Sequence, residues 1–321
     1  MTAPAPQCPV QPLGFTDCGV LWGVATETSS ARAVADVEAA VGRSFDFIYR
    51  YHDVNDVVPD AAERVALEQG KLLHISIAAR DFSHPQRGSV TWKEVARGDF
   101  DPGLRRQAKG LAAVDRPVFV TFEQEADQSR KVADLGAPAD FVAAWRHLHD
   151  LYQDEGADNV VWVWVMTGVE SNLDTAASMW PGNDDVDWIS WNVYNQSGCR
   201  NRDIDPNLYE SFEEQFLVFW KFIHQRGAEL GVDSSKPMMI SEAGSAQYSQ
   251  APMLTARWYR EIPDVLERYR QVRAVTLWDS VDGGCDYRFQ RVPPVLDAVR
   301  SVGLDPFVNT HPSLPGTATA P

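Results

Sequence analysis

The run VVWVWVM, residues 160–166, decides the architecture. It is apolar at every position and dominated by β-branched and aromatic side chains, so neither face of a strand formed there meets water. Strands buried on both faces belong to parallel sheets covered by helices. Working outward, seven further runs of this kind appear: 20–25 (VLWGVA), 45–51 (FDFIYRY), 72–78 (LLHISIA), 117–123 (PVFVTFE), 187–193 (DWISWNV), 237–242 (PMMISE) and 273–278 (RAVTLW). Helical signals separate them. Ser30 is a cap for 31–41, Pro59 opens 60–69 ahead of Gly70, and Asp101-Pro102 opens 103–113. Pro138 opens 139–155 ahead of Gly156, Ser211 opens 212–230 ahead of Gly231, and 252–269 and 293–302 complete the set. The stretch 167–186 carries the weakest helix pattern. Eight βα units without an internal repeat predict an α/β fold of the (β/α)8, or TIM barrel, type. The rival is a doubly wound open sheet. It usually carries a glycine-rich phosphate turn after the first strand, where this chain has Ala25-Thr26-Glu27-Thr28.

The chain of 321 residues suits one barrel domain, which we place at 19–305. An N-terminal extension (1–18) and a Pro/Thr/Ser-rich tail or linker stump (306–321) flank it, with loose ends at 2–13 and 309–321. A net charge of −16 repels phosphate backbones and anionic lipid, which argues against nucleic-acid and membrane partners. A neutral polymer or oligosaccharide is not repelled, and the 11 Trp residues supply faces that stack on sugars or fill cores. The four cysteines, Cys8, Cys18, Cys199 and Cys285, suit two disulfides in an oxidising compartment. Of three possible pairings, Cys8–Cys18 with Cys199–Cys285 is preferred, the second in loops after strands six and eight. Four free thiols in a cytoplasmic protein are the alternative. The N-terminus lacks the pattern of a signal peptide, so an exported protein is here in mature form, and no apolar stretch is long enough to span a membrane. We expect a secreted monomer.

The active site of such a barrel lies where the strands end. The fourth strand ends in Glu123-Gln124-Glu125, the sixth in Trp191-Asn192-Val193-Tyr194, the seventh in Ser241-Glu242 and the eighth in Trp278-Asp279. Strands four and seven face each other across eight staves. Two carboxylates meeting there are the equipment of glycoside hydrolysis: one protonates the leaving oxygen and one attacks the anomeric carbon. A lone strand-end Glu is more often a salt bridge or a solvated charge, but two Glu flanked by Tyr194 and Trp278 point to chemistry. Glu242 follows an apolar run, and Tyr194 is a candidate donor to it. Glu123 lies deeper on the same face as Glu125 and is expected to pair with Arg50 or His74, which leaves Glu125 at the mouth.

At these residues the chain resembles glycoside hydrolase family 26, of the clan A barrel enzymes. The resemblance runs from about Trp22 to Trp278. The segments 136–165, 179–195 (MWPGNDDVDWISWNVYN) and 236–245 (KPMMISEAGS) are similar to that family's fourth helix and fifth strand, its tyrosine-bearing stretch and its nucleophile strand. The resemblance implies Glu125 as acid/base, Glu242 as nucleophile, Tyr194 holding the nucleophile and Trp278 as a sugar platform. It also implies endo-acting cleavage of β-mannan, or alternatively of β-1,3-xylan, mixed-linkage β-glucan or a microbial wall polysaccharide. Three positions depart from the family. Gln124 stands where His is usual, residues 126–130 (ADQSR) lack the family's aromatics, and Asn192 replaces a common acidic residue. Gln124 and Asn192 are expected to bind substrate, Gln124 at the sugar 2-hydroxyl. Trp22, Trp164, Trp180 and Trp191 are candidate rim aromatics, although Trp162 and Trp164 share a strand face and also fit a core.

A non-catalytic glycan-binding barrel is the second reading. A metal-dependent hydrolase is the third. None of the seven His forms an HxH at a strand end or an HExxH, and no GxSxG elbow occurs, so no metal and no cofactor are expected.

Overall fold

The structure, a computed structural model, describes residues 8–82, 90–200, 204–310 and 312–313. The loose ends expected at 2–7 and 314–321, and His84 and His311, lie outside the described residues. Eight parallel strands close into a barrel: β1 (Leu21–Thr26), β2 (Phe47–Asp53), β3 (Leu72–Ala78), β4 (Val118–Phe122), β5 (Val160–Met166), β6 (Trp188–Asn195), β7 (Met238–Ser245) and β8 (Val272–Asp279). Pairing of β1 with β8 completes the cylinder, which excludes the open sheet. No helix among the described residues is long and apolar enough to cross a membrane.

Strand pleating divides the apolar residues into two sets. Leu21, Phe47, Leu72, Phe119, Val161, Trp188, Met239 and Ala274 fill the barrel's lower interior. Their neighbours Trp22, Ile48, Leu73, Val120, Trp162, Ile189, Ile240 and Val275 join the layer under the helices. The helices follow local chemistry. Ser30 caps α1 (Ala31–Val41), accepting from the Ala33 N–H, and Gly42 ends it at φ 78°. Asp60, not Pro59, begins α2 (Ala61–Glu68), in a reciprocal capping box with Glu63. The span expected as one helix at 252–269 is two, 252–260 and 262–268, because Pro263 cannot continue the preceding hydrogen-bond ladder. The weak stretch at 167–186 yields a 3-10 turn at Glu170–Asn172 and the short helix Leu173–Ser178.

The described part of the expected N-terminal extension is a plug rather than a loose end. Phe15 meets the Trp188 ring edge-on at 6.2 Å, and the Trp188 indole N–H donates to Leu13 O at 2.9 Å. Gly14 runs so close beneath Phe119 that a Cβ would lie 2.5 Å from its ring. The Cys8–Cys18 disulfide closes this segment, and Cys8–Pro9 pairs in parallel with Pro312–Ser313. The described start of the tail is tied down too: Val308 is buried and Phe307 O accepts from Val20 N at 3.0 Å. Trp188 links plug to barrel, so Trp188→Ala is expected to lower stability by about 3–5 kcal/mol in denaturant unfolding.

Candidate active site

Strand β4 leaves the sheet after Phe122, and the next residues turn sharply. Glu123 and Glu125 have φ of 50° and 54°, left-handed values that cost a side-chain-bearing residue about 1–2 kcal/mol each. Two backbone bonds hold the turn: Glu123 N donates to Ile77 O at 2.8 Å and Glu125 N donates to Val165 O at 2.9 Å. The buried Glu123 carboxylate braces it, accepting from Ala79 N at 2.6 Å and pairing with Lys131 Nζ at 2.7 Å. Lys131 also donates to Gln124 O.

Glu123 therefore does not pair with Arg50 or His74. Arg50 donates to Thr26 Oγ1, and burial lowers its pKa against the opposing pull of Glu63 and Asp60. His74 stacks on Tyr49 at 3.9 Å and bonds Thr121 through Nε2; burial pushes its pKa down to about 3. Because the Thr121 hydroxyl donates onward to Val163 O, His74 is a neutral donor there. Asp127 ties the far side of the turn to β5, accepting from Thr167 N at 3.0 Å and Thr167 Oγ1 at 2.6 Å. Burial pushes this carboxyl up to about 7, against those two hydrogen bonds.

Across the barrel, a bulge aims Glu242. Ile240 pairs with Trp191 but Glu242 pairs with Asn192, so Ser241 is one residue extra on β7. Regular alternation would give Glu242 the same outward face as Ile240; the extra residue returns it to the interior. Glu242 then accepts from Tyr51 Oη at 2.6 Å on one oxygen, and from Tyr194 Oη at 2.8 Å and Asn192 Nδ2 at 2.9 Å on the other. The same Asn192 nitrogen donates to Glu125 Oε1 at 2.9 Å. Two oxygens sharing one donor are separated by at most twice that length, about 5.8 Å. This bound accommodates the ~5–5.5 Å of a retaining pair. Gln128 Nε2 donates to the remaining Glu125 oxygen.

Burial, then the Glu125 charge, pushes the Glu242 carboxyl up to about 8, with Tyr51 and Tyr194 pulling it down. Burial and Glu242 raise both tyrosines well above the usual phenol value, so they remain O–H donors. Trp278 is half-buried beside the pair, edge-on to Tyr51 at 5.7 Å. Its indole nitrogen and Asn192 Oδ1 are buried and bonded to nothing among the described residues, which leaves one donor and one acceptor for a ligand. Gln124 Oε1 accepts from Ser76 Oγ at 2.5 Å. The Cys199–Cys285 disulfide forms with the preferred pairing. Cys285 and Cys199 pack with Tyr287, Tyr194 and Trp278, and the Tyr287 ring lies 4.9 Å from that of Tyr194.

The structure thus brings together Glu125, Glu242, Asn192, Tyr194, Gln124 and Trp278. Trp22 and Trp191 do not belong: both are fully buried on the outer face of the barrel. Trp22 packs on Phe45, and Trp191 on Phe216 and Phe219. Trp164 is core as well, against Phe219 and Trp180. Tyr51, Gln128 and Ser76 escaped the sequence reading. Tyr51 had a signal, because Tyr49 and Tyr51 alternate on one face of β2. Gln128 had none, since only the turn folds it back on Glu125. Two other clusters have the spacing of cation ligands. In His52/Asp60/Glu63 the Glu63 carboxylate is taken up by His52 at 2.6 Å and by the α2 cap. His149/Asp150/Asp185 lies beside Arg146, which is 3.5 Å from Asp185.

Fold and site together define a (β/α)8 barrel with a neutral-donor-bridged carboxylate pair at the C-terminal ends of β4 and β7. Solved structures share the barrel fold. The chain superposes on a Cellulomonas fimi endo-β-1,4-mannanase double mutant with a TM-score of 0.65 and 17% identity, covering 90% of this chain and 71% of that one. It superposes on a GH26 β-mannanase from Bacteroides ovatus with a TM-score of 0.64 and 16% identity, covering 91% and 90%. In sequence it is similar to Endoglucanase H of Acetivibrio thermocellus, 22% identical over 303 residues, which are 90% of this chain and 31% of that protein. It is also similar to the β-1,3-xylanase TXYA of Vibrio sp, 24% identical over 166 residues, 50% of this chain and 30% of that protein. The matches span about a third of the length of these curated relatives. No protein-family model matches the chain.

The raised Glu242 pKa has a consequence for stability. Between the ordinary value of 4.5 and about 8 the folded carboxyl pair retains a proton that the unfolded chain has released. The stability it contributes is complete below about pH 4.5 and is lost as pH rises through 8. Glu242→Gln is expected to show a smaller fall in Tm between pH 5 and pH 8 than the wild type, and a higher Tm at pH 8, by scanning calorimetry.

Proposed function

We propose that this chain is a retaining, endo-acting glycoside hydrolase for β-linked polysaccharide, with Glu242 as nucleophile and Glu125 as acid/base. The observation that supports it is the shared Asn192 donor, which brings together two carboxylates from opposite staves, as a double displacement needs. In the first step Glu242 attacks the anomeric carbon, the glycosidic C–O bond breaks, and the Glu125 proton passes to the leaving oxygen. In the second, Glu125 takes a proton from water, which attacks the same carbon and releases Glu242. Tyr51, Tyr194 and Asn192 give the Glu242 carboxyl three neutral hydrogen-bond donors, which support its charge as it attacks and as it leaves. Trp278 offers a face to the sugar, and Gln124, fixed by Ser76, keeps its amide N–H groups for the 2-hydroxyl.

The substrate read first is β-mannan, in keeping with the mannanases among the superposed structures. β-1,3-xylan and β-glucan follow, in keeping with the curated relatives. Residues 19–305 form the catalytic unit, and the two disulfides fit a secreted, extracellular monomer.

The test is a polysaccharide panel with product analysis. We expect reducing ends from at least one β-glycan, released with retained anomeric configuration by proton NMR. Glu242→Ala abolishes turnover. Glu125→Ala lowers kcat about 10²–10⁴-fold and is rescued by azide with formation of a β-glycosyl azide. An inverted first product, or full activity in either variant, refutes the assignment.

A further inference from the structure

Resting on that reading, we infer that Gln128 is a positioning residue for the acid/base: with Asn192 it holds Glu125 between two primary amides and favours the charge it develops as it gives up its proton. Each Glu125 oxygen has its own amide donor, Asn192 Nδ2 at 2.9 Å on Oε1 and Gln128 Nε2 on Oε2. The donors come from different elements. Asn192 is fixed in β6, whereas Gln128 ends the Glu125 turn and begins the following helix, Ser129–Leu135. The backbone folds Gln128 back on Glu125, since Gln128 N donates to Glu125 O at 3.2 Å and Gln128 O accepts from Val132 N at 3.0 Å. The turn between is immobilised by the Asp127–Thr167 bonds. Gln128 is itself half-buried.

This geometry separates the two amides by role. Asn192 also touches Glu242, so it serves both carboxylates, and its removal disturbs attack and proton transfer together. Among the described residues, the Gln128 side chain bonds Glu125 and not Glu242. An N–H group is a donor only, so it binds a carboxylate more strongly than a carboxylic acid. Its bond therefore strengthens while the proton moves from Glu125 to the glycosidic oxygen and the C–O bond breaks, and an interaction that strengthens on the way to the transition state accelerates the step. Attack by Glu242 does not involve it.

The experiment follows kcat/KM, which reports formation of the glycosyl-enzyme, on aryl β-glycosides of the disaccharide identified by the polysaccharide panel, β-mannobiosides first. The leaving groups are phenol, which needs protonation, and 2,4-dinitrophenol, which departs as an anion. Gln128→Ala is expected to lower kcat/KM about 10-fold or more on the phenyl glycoside and less than about 3-fold on the dinitrophenyl glycoside, a fraction of the ~10²–10⁴-fold that a general acid supplies. Gln128→Asn, whose shorter side chain keeps the amide but draws it back, behaves like the alanine variant. The dinitrophenyl substrate is the internal control for folding and for Glu242. Equal losses on both leaving groups, or no loss on either, overturn the inference while leaving the hydrolase reading intact. Wild-type inactivity on every glycoside overturns both.

Discussion

Two acidic side chains held within about 5.8 Å of each other in a buried mouth set the terms for the rest of the structure. At an effective dielectric of about 20, two full charges at this spacing repel by about 3 kcal/mol. Among the described residues no cation is bonded to the pair. Lys131 lies near enough to influence Glu242, but its ammonium is engaged by Glu123 and Gln124 O. Neutral donors do the holding instead: two phenols and an amide on Glu242, two amides on Glu125. A neutral donor positions an anion without forming the full ion pair that would blunt a nucleophile.

Holding the pair requires local backbone that is unfavourable by itself. Glu123 and Glu125 occupy left-handed φ, and β7 carries a residue that its ladder cannot pair. Such features persist only where their surroundings over-determine them. Here the surroundings are identifiable. Glu123 is fixed by Ala79 and Lys131, Asp127 by Thr167, and Ser241 by a 2.5 Å contact with Ser190. Beneath lies a bottom layer of large side chains sealed by residues 8–18. Strain at the mouth thus rests on dense apolar packing at the other end of the same strands.

The eight strands were legible because each is a short run dominated by apolar, β-branched or aromatic residues, as strands of a parallel sheet covered by helices are. Period-2 alternation, however, says which residues share a face and not which face is inside. Leu21 and Trp22 are both apolar. What sends Trp22 outward is Gly303 on the helix 293–303, where a Cβ would lie 2.5 Å from the indole, while Gly23 leaves its space to the Phe47 ring. That is knowledge of distant partners, and it moved Trp22 and Trp191 off the site. Glu242 stood out because it follows an apolar run, but β7 continues past it to Ser245, and the bulge that turns it to the interior was not readable. The structure sets Glu125 beside Glu242 and Glu123 in the brace behind it, for a reason other than depth along a strand. The strand stops at Phe122, and the turn, rather than depth along a strand, separates the brace from the group at the mouth.

The choice of neutral donors also bears on the second half of the proposed reaction. Once Glu242 is esterified its charge is gone, and with it the Coulomb penalty on an ionised Glu125. The amides of Asn192 and Gln128 remain, and both favour the anion, which is the form needed to take a proton from water. When the ester breaks, charge returns to Glu242 where Tyr51, Tyr194 and Asn192 already wait. A permanent cation bound to Glu125 would favour its ionised form in both halves and oppose the first. The amides give only part of that preference and let the charge on Glu242 decide the rest, so one pair of carboxyl groups can serve as acid, then base, without a change in the surrounding protein.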